Sequence, residues 1–475
     1  MQHPQDKESS MELQPALNFL ESEQSRFIRD LAELVAVPSI STDGMHALEI
    51  ERCAEKVAEQ MRRAGLENVE ILRRADAYPY VYGDWLHAPG KPTVLLYSHY
   101  DVQPVNYVEQ WQSDPWQLTE RNGRLYGRGA CDDKGAITVQ LASLEAWLKT
   151  LGRLPLNVKM LVEGEEEVGS RNLLAFLREQ QQRLHADVLV VTDTENLNDR
   201  QPCITTSLRG IITLKVEVHA LKRPVHSGLA GGLVPDPALA LNSILARLCW
   251  AGKRRIQVPG FYEGVKRMTG KERKALRSLP ASPRQLREDY ALLEGVKFAS
   301  LPGVHPYEQT WRWPAITVIA QEASSLKQAS NQVLPYATAL VSIRIVPEQE
   351  PKKVIRAVTK ALVSKAPWNV QVRVTPVGEA VKWWYIQPKG PTFDAAMRAL
   401  QAGFGAKPLP IGCGGSIGFV GPLCDMFGGI PALLLGIGDP QSAAHSPNES
   451  LSLNIFIKLA RSLVHLYAEL AENMQ

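Results

Sequence analysis

The chain has 475 residues, enough to bury a large core, and that length favours two or more domains over one. The formal charge is only +3, the Lys and Arg residues are dispersed, and no apolar run approaches membrane-spanning length. These features give no support to a nucleic-acid partner and argue against a membrane-embedded helix.

The N-terminal stretch, residues 1–14, is polar and lacks the basic and apolar regions of a signal peptide. The six cysteines, Cys53, Cys131, Cys203, Cys249, Cys413 and Cys424, contain no C-x-x-C pair and read as reduced thiols in a cytoplasmic protein. Ile50, Ala54, Val57 and Met61 fall on one helical face, with Gly65 as the stop. Residues 94–97 form a short apolar run of buried-strand type that ends at His99. Ile137, Leu141, Leu144 and Leu148 repeat the helical spacing, and residues 158–162 and 188–191 are again strand-like, each running into an acidic cluster. Such alternation predicts a mixed, mostly parallel α/β sheet with helices on both faces.

After Gly210 the pattern changes. Ile212, Leu214, Val216 and Val218 alternate with polar residues, as in a strand with one wet face, and the alternation returns at 341–345 and 370–374. Helical patterns lie between, around 239–248 and 354–362, and residues 251–310 look like a basic, irregular insertion. This predicts an α+β domain at 210–384 inserted into an α/β domain made of 1–209 and 385–475. A helix near 392–402, a buried strand near 431–437 and a closing amphipathic helix carrying Leu453, Phe456, Ala460, Leu463 and Tyr467 complete the chain.

Polar residues cluster where these strands end. His99 closes one strand, with Asp101 two residues on, placed to accept a ring N–H. Asp132 and Asp133 are adjacent carboxylates in a Gly-flanked loop before a helix, a pairing that needs a nearby cation, unless one of them is simply the helix N-cap. Glu165, Glu166 and Glu167 follow an apolar strand and precede a glycine, although three consecutive glutamates are usually a solvated run. Asp193 ends the next strand, and His445 sits in a loop before the last helix. Nitrogen and carboxylate donors without cysteine suit divalent ions such as Zn²⁺ or Mn²⁺. A carboxylate between two such ions, with a free carboxylate nearby, is an arrangement that activates water for hydrolysis.

In these motifs the sequence resembles the M20 metallopeptidases. The resemblance rests on Ser-His-Tyr-Asp-Val-Gln-Pro at 98–104, Gly-Arg-Gly at 127–129, Asp-Asp-Lys-Gly at 132–135 and the acidic stretch 163–170. It continues through Asp193, Pro-Cys-Ile at 202–204, Leu-Arg-Gly at 208–210, His-Ser-Gly at 226–228, Gly-Gly-Ser-Ile at 414–417 and Ala-His-Ser at 444–446, in the same order over nearly the whole chain. The wording at 101–104, 166–170 and 342–347 is most similar to the carnosinase-like, cytosolic non-specific dipeptidase branch. The resemblance implies a two-metal site, Zn²⁺ first and Mn²⁺ or Co²⁺ as alternatives. Asp132 would bridge the ions, with His99 and Asp193 on one and Glu167 and His445 on the other. Glu166 would be the general base acting on a bridging hydroxide, Asp101 would orient His99, and the Asp132–Asp133 peptide would be cis. The implied substrate is a short peptide or peptide-like amide with a free C-terminal carboxylate, and an N-acyl or N-carbamoyl amino acid is the rival on the same scaffold. The implied assembly is a homodimer through the inserted lid domain.

Four positions stand out as substrate contacts. The resemblance implies that His226 reaches the neighbouring subunit's site to stabilise the oxyanion, its dull alternative being a surface histidine at a strand edge. Arg344 points away from the apolar stripe of Ile343 and Ile345 and suits a carboxylate clamp, or else a structural ion pair. Ser416 follows two glycines, and Asn331 is a further candidate. One segment departs from the family, which commonly reads Arg-Glu-Gly-Gly-Ser-Ile-Pro where this chain has Gly-Cys-Gly-Gly-Ser-Ile-Gly at 412–418. The acidic residue and the proline are missing.

Overall fold

The computed structural model describes residues 13–248 and 255–474. Most of the polar N-terminal stretch, Cys249 and the start of the basic insertion lie outside the described residues. The chain divides into two compact units. The first comprises Met1–Thr206, Gln387–Ile411 and Phe419–Gln475, and the second Ser207–Ile386 and Gly412–Gly418.

The first unit is built on a mixed sheet with its strands in the order Glu67–Leu72, Tyr80–Trp85, Asn157–Glu163, Thr93–His99, Val188–Glu195, Ala432–Gly438, Cys203–Leu208. Its centre is parallel: Thr93–His99 runs parallel to both neighbours, and Ala432–Gly438 runs parallel to Val188–Glu195. The outer pairings are antiparallel. Central strands in such a sheet are covered on both faces, which is why 94–97 and 188–191 read as unbroken apolar runs. Helix Lys134–Leu151 is buried along most of its length and packs against Gln14–Ser22, Gln24–Val35 and the closing helix Leu453–Asn473. Helix Ala47–Ala64 stops at Gly65, whose φ of 97° suits a residue without a Cβ.

A small sheet of Thr119–Arg121, Arg124–Tyr126 and Ser450–Ser452 has no counterpart in the sequence pattern. It joins the loop after Tyr126 to the loop before the last helix, segments more than 300 residues apart.

The second unit has a four-stranded antiparallel sheet in the order Ala315–Glu322, Tyr336–Ile345, Gly210–His219, Gln371–Pro376. Gly210–His219 alternates strictly between buried and half-buried residues. Its inward residues Ile212, Leu214, Val216 and Val218 pack with Val341, Ile343 and the helices Pro237–Ala246 and Pro351–Val363. The stretch expected to be irregular holds three short helices, Gly270–Arg277, Pro283–Asp289 and Pro306–Arg312. Thr269 and Glu272 form a capping box there, and Ser282 caps the second helix. These caps act locally and leave little apolar periodicity to detect.

The closing helix carries a titratable group with a clear consequence. Burial, reinforced by Arg461, lowers the His465 imidazole from an ordinary value of 6.5 to about 4. Above pH 6.5 the ring is neutral in both folded and unfolded chains. As pH falls towards 4 the unfolded chain binds a proton that the folded chain does not, so stability is lost across that window, on the order of 2–3 kcal/mol. Urea midpoints at pH 7 and pH 4.5 are expected to lie closer together for His465→Gln than for the unmodified chain.

Candidate metal centre

The candidate ligands lie where sheet geometry collects them. His99 is the last residue of its strand, and Asp193 lies near the end of the adjacent parallel strand. Glu163 ends a third strand, and the chain then turns through a short 3-10 segment, Glu166–Val168. All three are carboxyl ends of strands in a partly parallel sheet, the usual place for a ligand crevice. Asp132 comes from the loop between Arg124–Tyr126 and helix Lys134–Leu151, and the peptide joining it to Asp133 is cis. The loop folds tightly enough that a Cβ at Gly135 would meet the Ala130 carbonyl oxygen. His445 arrives from the loop before Ser450–Ser452, which pairs with Arg124–Tyr126 and so draws the two loops together.

Asp132 faces two imidazoles, one with each oxygen. Its Oδ1 lies 3.1 Å from His99 Nε2 and its Oδ2 lies 3.0 Å from His445 Nε2. His445 Nε2 is also 3.2 Å from Glu167 Oε2. Two triads result, His99, Asp132 and Asp193, and Asp132, Glu167 and His445, with the donor atoms of each triad within 4.8 Å of one another. Asp132 belongs to both.

Neighbouring groups aim these side chains. His99 Nδ1 is 3.0 Å from the Asp101 carbonyl oxygen and 3.3 Å from its carboxylate. The same carboxylate accepts the backbone N–H groups of Glu166 at 3.1 Å and Glu167 at 3.0 Å. Asp101, fully buried, therefore ties the histidine strand to the glutamate turn. Gln103 Nε2 donates to Glu167 Oε2 at 2.7 Å. The Glu166 carboxylate is half-buried and has no hydrogen-bond partner among the described residues.

The three glutamates thus separate. Glu165 is buried and structural, accepting from Tyr80 Oη at 3.1 Å and the Asn172 amide at 2.8 Å. Asp133 occupies the N-cap position of its helix, but its side chain does not bond the helix and accepts instead from the His99 amide at 3.3 Å.

Charge balance points the same way as geometry. Burial pushes the carboxyls of Asp133, Glu166, Glu167 and Asp193 upward, and neighbouring carboxylates push each of them further. Asp132 is the exception: burial raises it, but hydrogen bonds from His445 and His99 outweigh that and hold it low. Hydrogen bonds to Asp132 and Glu167 push His445 up to about 11. His99 is also raised, its carboxylate partners overcoming burial. Among the described residues no lysine or arginine pairs with any of the five ligands. The cluster therefore gathers acidic side chains whose only described basic neighbours are the two imidazoles. A set of two nitrogen and three carboxylate donors, with one carboxylate shared, fits a pair of divalent ions.

Residues 95–469 match the sequence model of a family described as "Peptidase family M20/M25/M40". The chain belongs to this family. It is 33% identical to the cysteinylglycine-S-conjugate dipeptidase of Corynebacterium striatum over 432 residues, covering 90% of this chain and 92% of that one. It is 27% identical to the beta-Ala-His dipeptidase of Rattus norvegicus, covering 97% and 96%. Among solved structures, human carnosine dipeptidase 1 superposes with a TM-score of 0.87 at 26% identity, covering 97% of this chain and 99% of that one. Members of this peptidase family are hydrolases, and this chain is one of them.

The remaining expected positions of this M20 chain lie in the second unit. Arg344 Nη1 donates to Ser416 Oγ at 2.8 Å, and the Ser416 hydroxyl in turn donates to the Arg209 carbonyl oxygen. Among the described residues Arg344 thus has no acidic partner of the kind a structural ion pair would require. His226 is exposed, and its Nδ1 accepts from the Gly228 amide at 3.0 Å as the cap of a short helix. Asn331 lies beside it, its carbonyl accepting from Ser227 N at 2.9 Å. No hydrogen bond joins this second pair to Arg344 or Ser416.

Glu449 is the residue that sequence reasoning passed over. Its carboxylate accepts from Arg128 Nη1 at 2.6 Å and from the amides of Gly129, Cys131 and Asp132, each at 3.0 Å. It stands four residues after His445, inside a segment already marked for its histidine.

Proposed function

We propose that the chain is a metal-dependent dipeptidase that hydrolyses a short peptide, or peptide-like amide, bearing a free C-terminal carboxylate. The observation that carries this reading is the Asp132 carboxylate placed between His99 and His445, with the unbonded Glu166 carboxylate on the adjoining turn. His99, Asp132 and Asp193 would hold one divalent ion and Asp132, Glu167 and His445 the other, with Zn²⁺ favoured over Mn²⁺ or Co²⁺. Such a pair polarises a carbonyl and lowers the pKa of water. Glu166 takes the proton from the attacking water and returns it to the leaving amine. Asp101 keeps His99 and the 166–167 turn in register while this happens. Arg344, with Ser416 and Asn331 as further polar contacts, is assigned the terminal carboxylate.

The relatives' names support a dipeptide substrate over an acylated amino acid. We further propose a homodimer through the second unit. Its edge strand Ala315–Glu322 leaves Val318 and Ile319 exposed, and an unpaired apolar edge of this kind favours pairing with a second copy. His226 would then serve the partner copy's reaction by stabilising the oxyanion. Cys53, Cys131, Cys203 and Cys424 are free thiols among the described residues, which supports a reducing, cytoplasmic setting. No described helix is long and apolar enough to cross a membrane.

The test is a substrate panel on protein stripped by chelator and reloaded with Zn²⁺, Mn²⁺ or Co²⁺. Ala-, Gly- and Cys-Gly-type dipeptides are expected to be cleaved only after reloading. Faster hydrolysis of N-acetyl, N-succinyl or N-carbamoyl amino acids would overturn the dipeptidase reading, and turnover that survives complete chelation would overturn the metal requirement.

A further inference from the structure

Arg209 and Arg344 bracket the turn at 414–416. Arg344 stands opposite Ile211 in the antiparallel register. Arg209 immediately precedes that strand, and its carbonyl oxygen accepts from the Ser416 hydroxyl, which itself accepts from Arg344. Arg209 is fixed by its amide, which donates to the Gly415 carbonyl at 3.0 Å, and by its Nε, which donates to the Gly414 carbonyl at 2.9 Å. Its Nη1 lies 3.4 Å from the Trp313 carbonyl oxygen. The guanidinium lies close against the turn, where a Cβ at Gly414 would sit 2.9 Å from Arg209 Nη2.

Both guanidinium groups are half-buried, and all their hydrogen bonds go to neutral acceptors. Neither forms an ion pair among the described residues. Burial, then repulsion from Arg344, lowers Arg209 to about 10, and burial lowers Arg344 as well. Two partly desolvated cations held together without an anion are costly, and the cost is removed by a ligand that brings matching charge. Beside this turn stands Cys413, at the position where the family commonly has an acidic residue, so the segment itself supplies no carboxylate there.

We infer that Arg209 and Arg344 form a subsite for two negative charges, and that the preferred substrates end in aspartate or glutamate. The inference rests on the dipeptidase reading. One guanidinium takes the α-carboxylate of the C-terminal residue and the other takes its side-chain carboxylate. A neutral C-terminal residue leaves one guanidinium unpaired, a loss that binding sites built around charged hydrogen bonds feel strongly.

The experiment compares isosteric pairs, Ala-Asp with Ala-Asn and Ala-Glu with Ala-Gln, on the metal-loaded protein. The acidic member is expected to have the higher kcat/KM by about 10- to 100-fold, with the ratio shrinking as salt is added. Cys413→Glu supplies an internal carboxylate and is expected to bring the ratio towards one, and Arg209→Met is expected to do the same through KM. Equal or reversed preference in the unmodified chain would overturn the inference. So would a Cys413→Glu chain that still cleaves neutral dipeptides but keeps the acidic preference. Calorimetric binding of N-acetyl-aspartate against N-acetyl-asparagine to the unmodified protein reads the subsite without turnover. If no dipeptide is cleaved but the acidic ligand still binds about tenfold or more tightly, the subsite stands and the dipeptidase reading falls.

Discussion

Replacing Glu166 by glutamine is expected to lower kcat by about 10²- to 10⁴-fold, the usual contribution of a positioned acid–base group. KM and the content of two metal ions per chain should stay nearly unchanged. The separation of these readouts follows from the geometry. The two candidate metal triads comprise His99, Asp132, Asp193, Glu167 and His445, and Glu166 is in neither. Its backbone amide is held by Asp101, so the substitution leaves the turn anchored. Burial raises the Glu166 carboxyl, followed by a lowering effect of His99 and further raising by Asp193, Glu167 and Asp132. A carboxyl free of hydrogen bonds and surrounded by other acids is suited to accept a proton and release it again. The matched control is Glu167→Gln, which removes a donor from one triad and should lose metal together with activity. Loss of metal in Glu166→Gln, or turnover near that of the unmodified chain, would remove Glu166 from the role of base.

How far the sequence disclosed this site depends on the range of the interaction concerned. His99 and Asp193 were visible because an apolar run followed by a polar residue marks a strand end, and strand ends gather ligands. The wet face of Gly210–His219 was visible because a period of two survives in one strand without reference to any other. The glutamate run was ambiguous by composition. What separates Glu165, Glu166 and Glu167 is a 3-10 turn held by Asp101 and a contact to Tyr80, and both partners lie more than 60 residues away. The strands Glu67–Leu72 and Tyr80–Trp85 were missed for a similar reason. The first carries three polar residues in six, Glu67, Asn68 and Glu70, and is stabilised as a sheet edge through its neighbour. The helices at 270–312 hold their ends by caps, which give a weaker periodic signal than a buried face. The segment 412–418 groups with the second unit, although its place in the chain puts it between parts of the first. Linear order carries no trace of that.

Replacing Glu449 by alanine is expected to weaken both the fold and metal binding. The side chain is fully buried and joins Arg128 in an ion pair that is itself almost wholly buried. Removing one partner of such a pair strands the other charge and typically costs about 3–5 kcal/mol. Burial raises the Glu449 carboxyl, and Arg128 opposes that shift. Three amides of the loop ending at Asp132 also lose their acceptor. Because that loop positions the shared carboxylate, the error is passed on to both triads, and affinity for Zn²⁺ should fall by about 10- to 100-fold. Glu449→Gln keeps the volume and one carbonyl acceptor but replaces the other oxygen with a donor facing donors, so an intermediate loss is expected in both readouts. Thermal unfolding and competition with a chelator of known affinity measure the two effects separately. If Glu449→Gln lowers the melting temperature while Zn²⁺ affinity stays at that of the unmodified chain, the residue serves the fold alone. A parallel fall in both places the Arg128–Glu449 pair in the positioning of Asp132, linking the Ser450–Ser452 strand to the chemistry at His445 and His99.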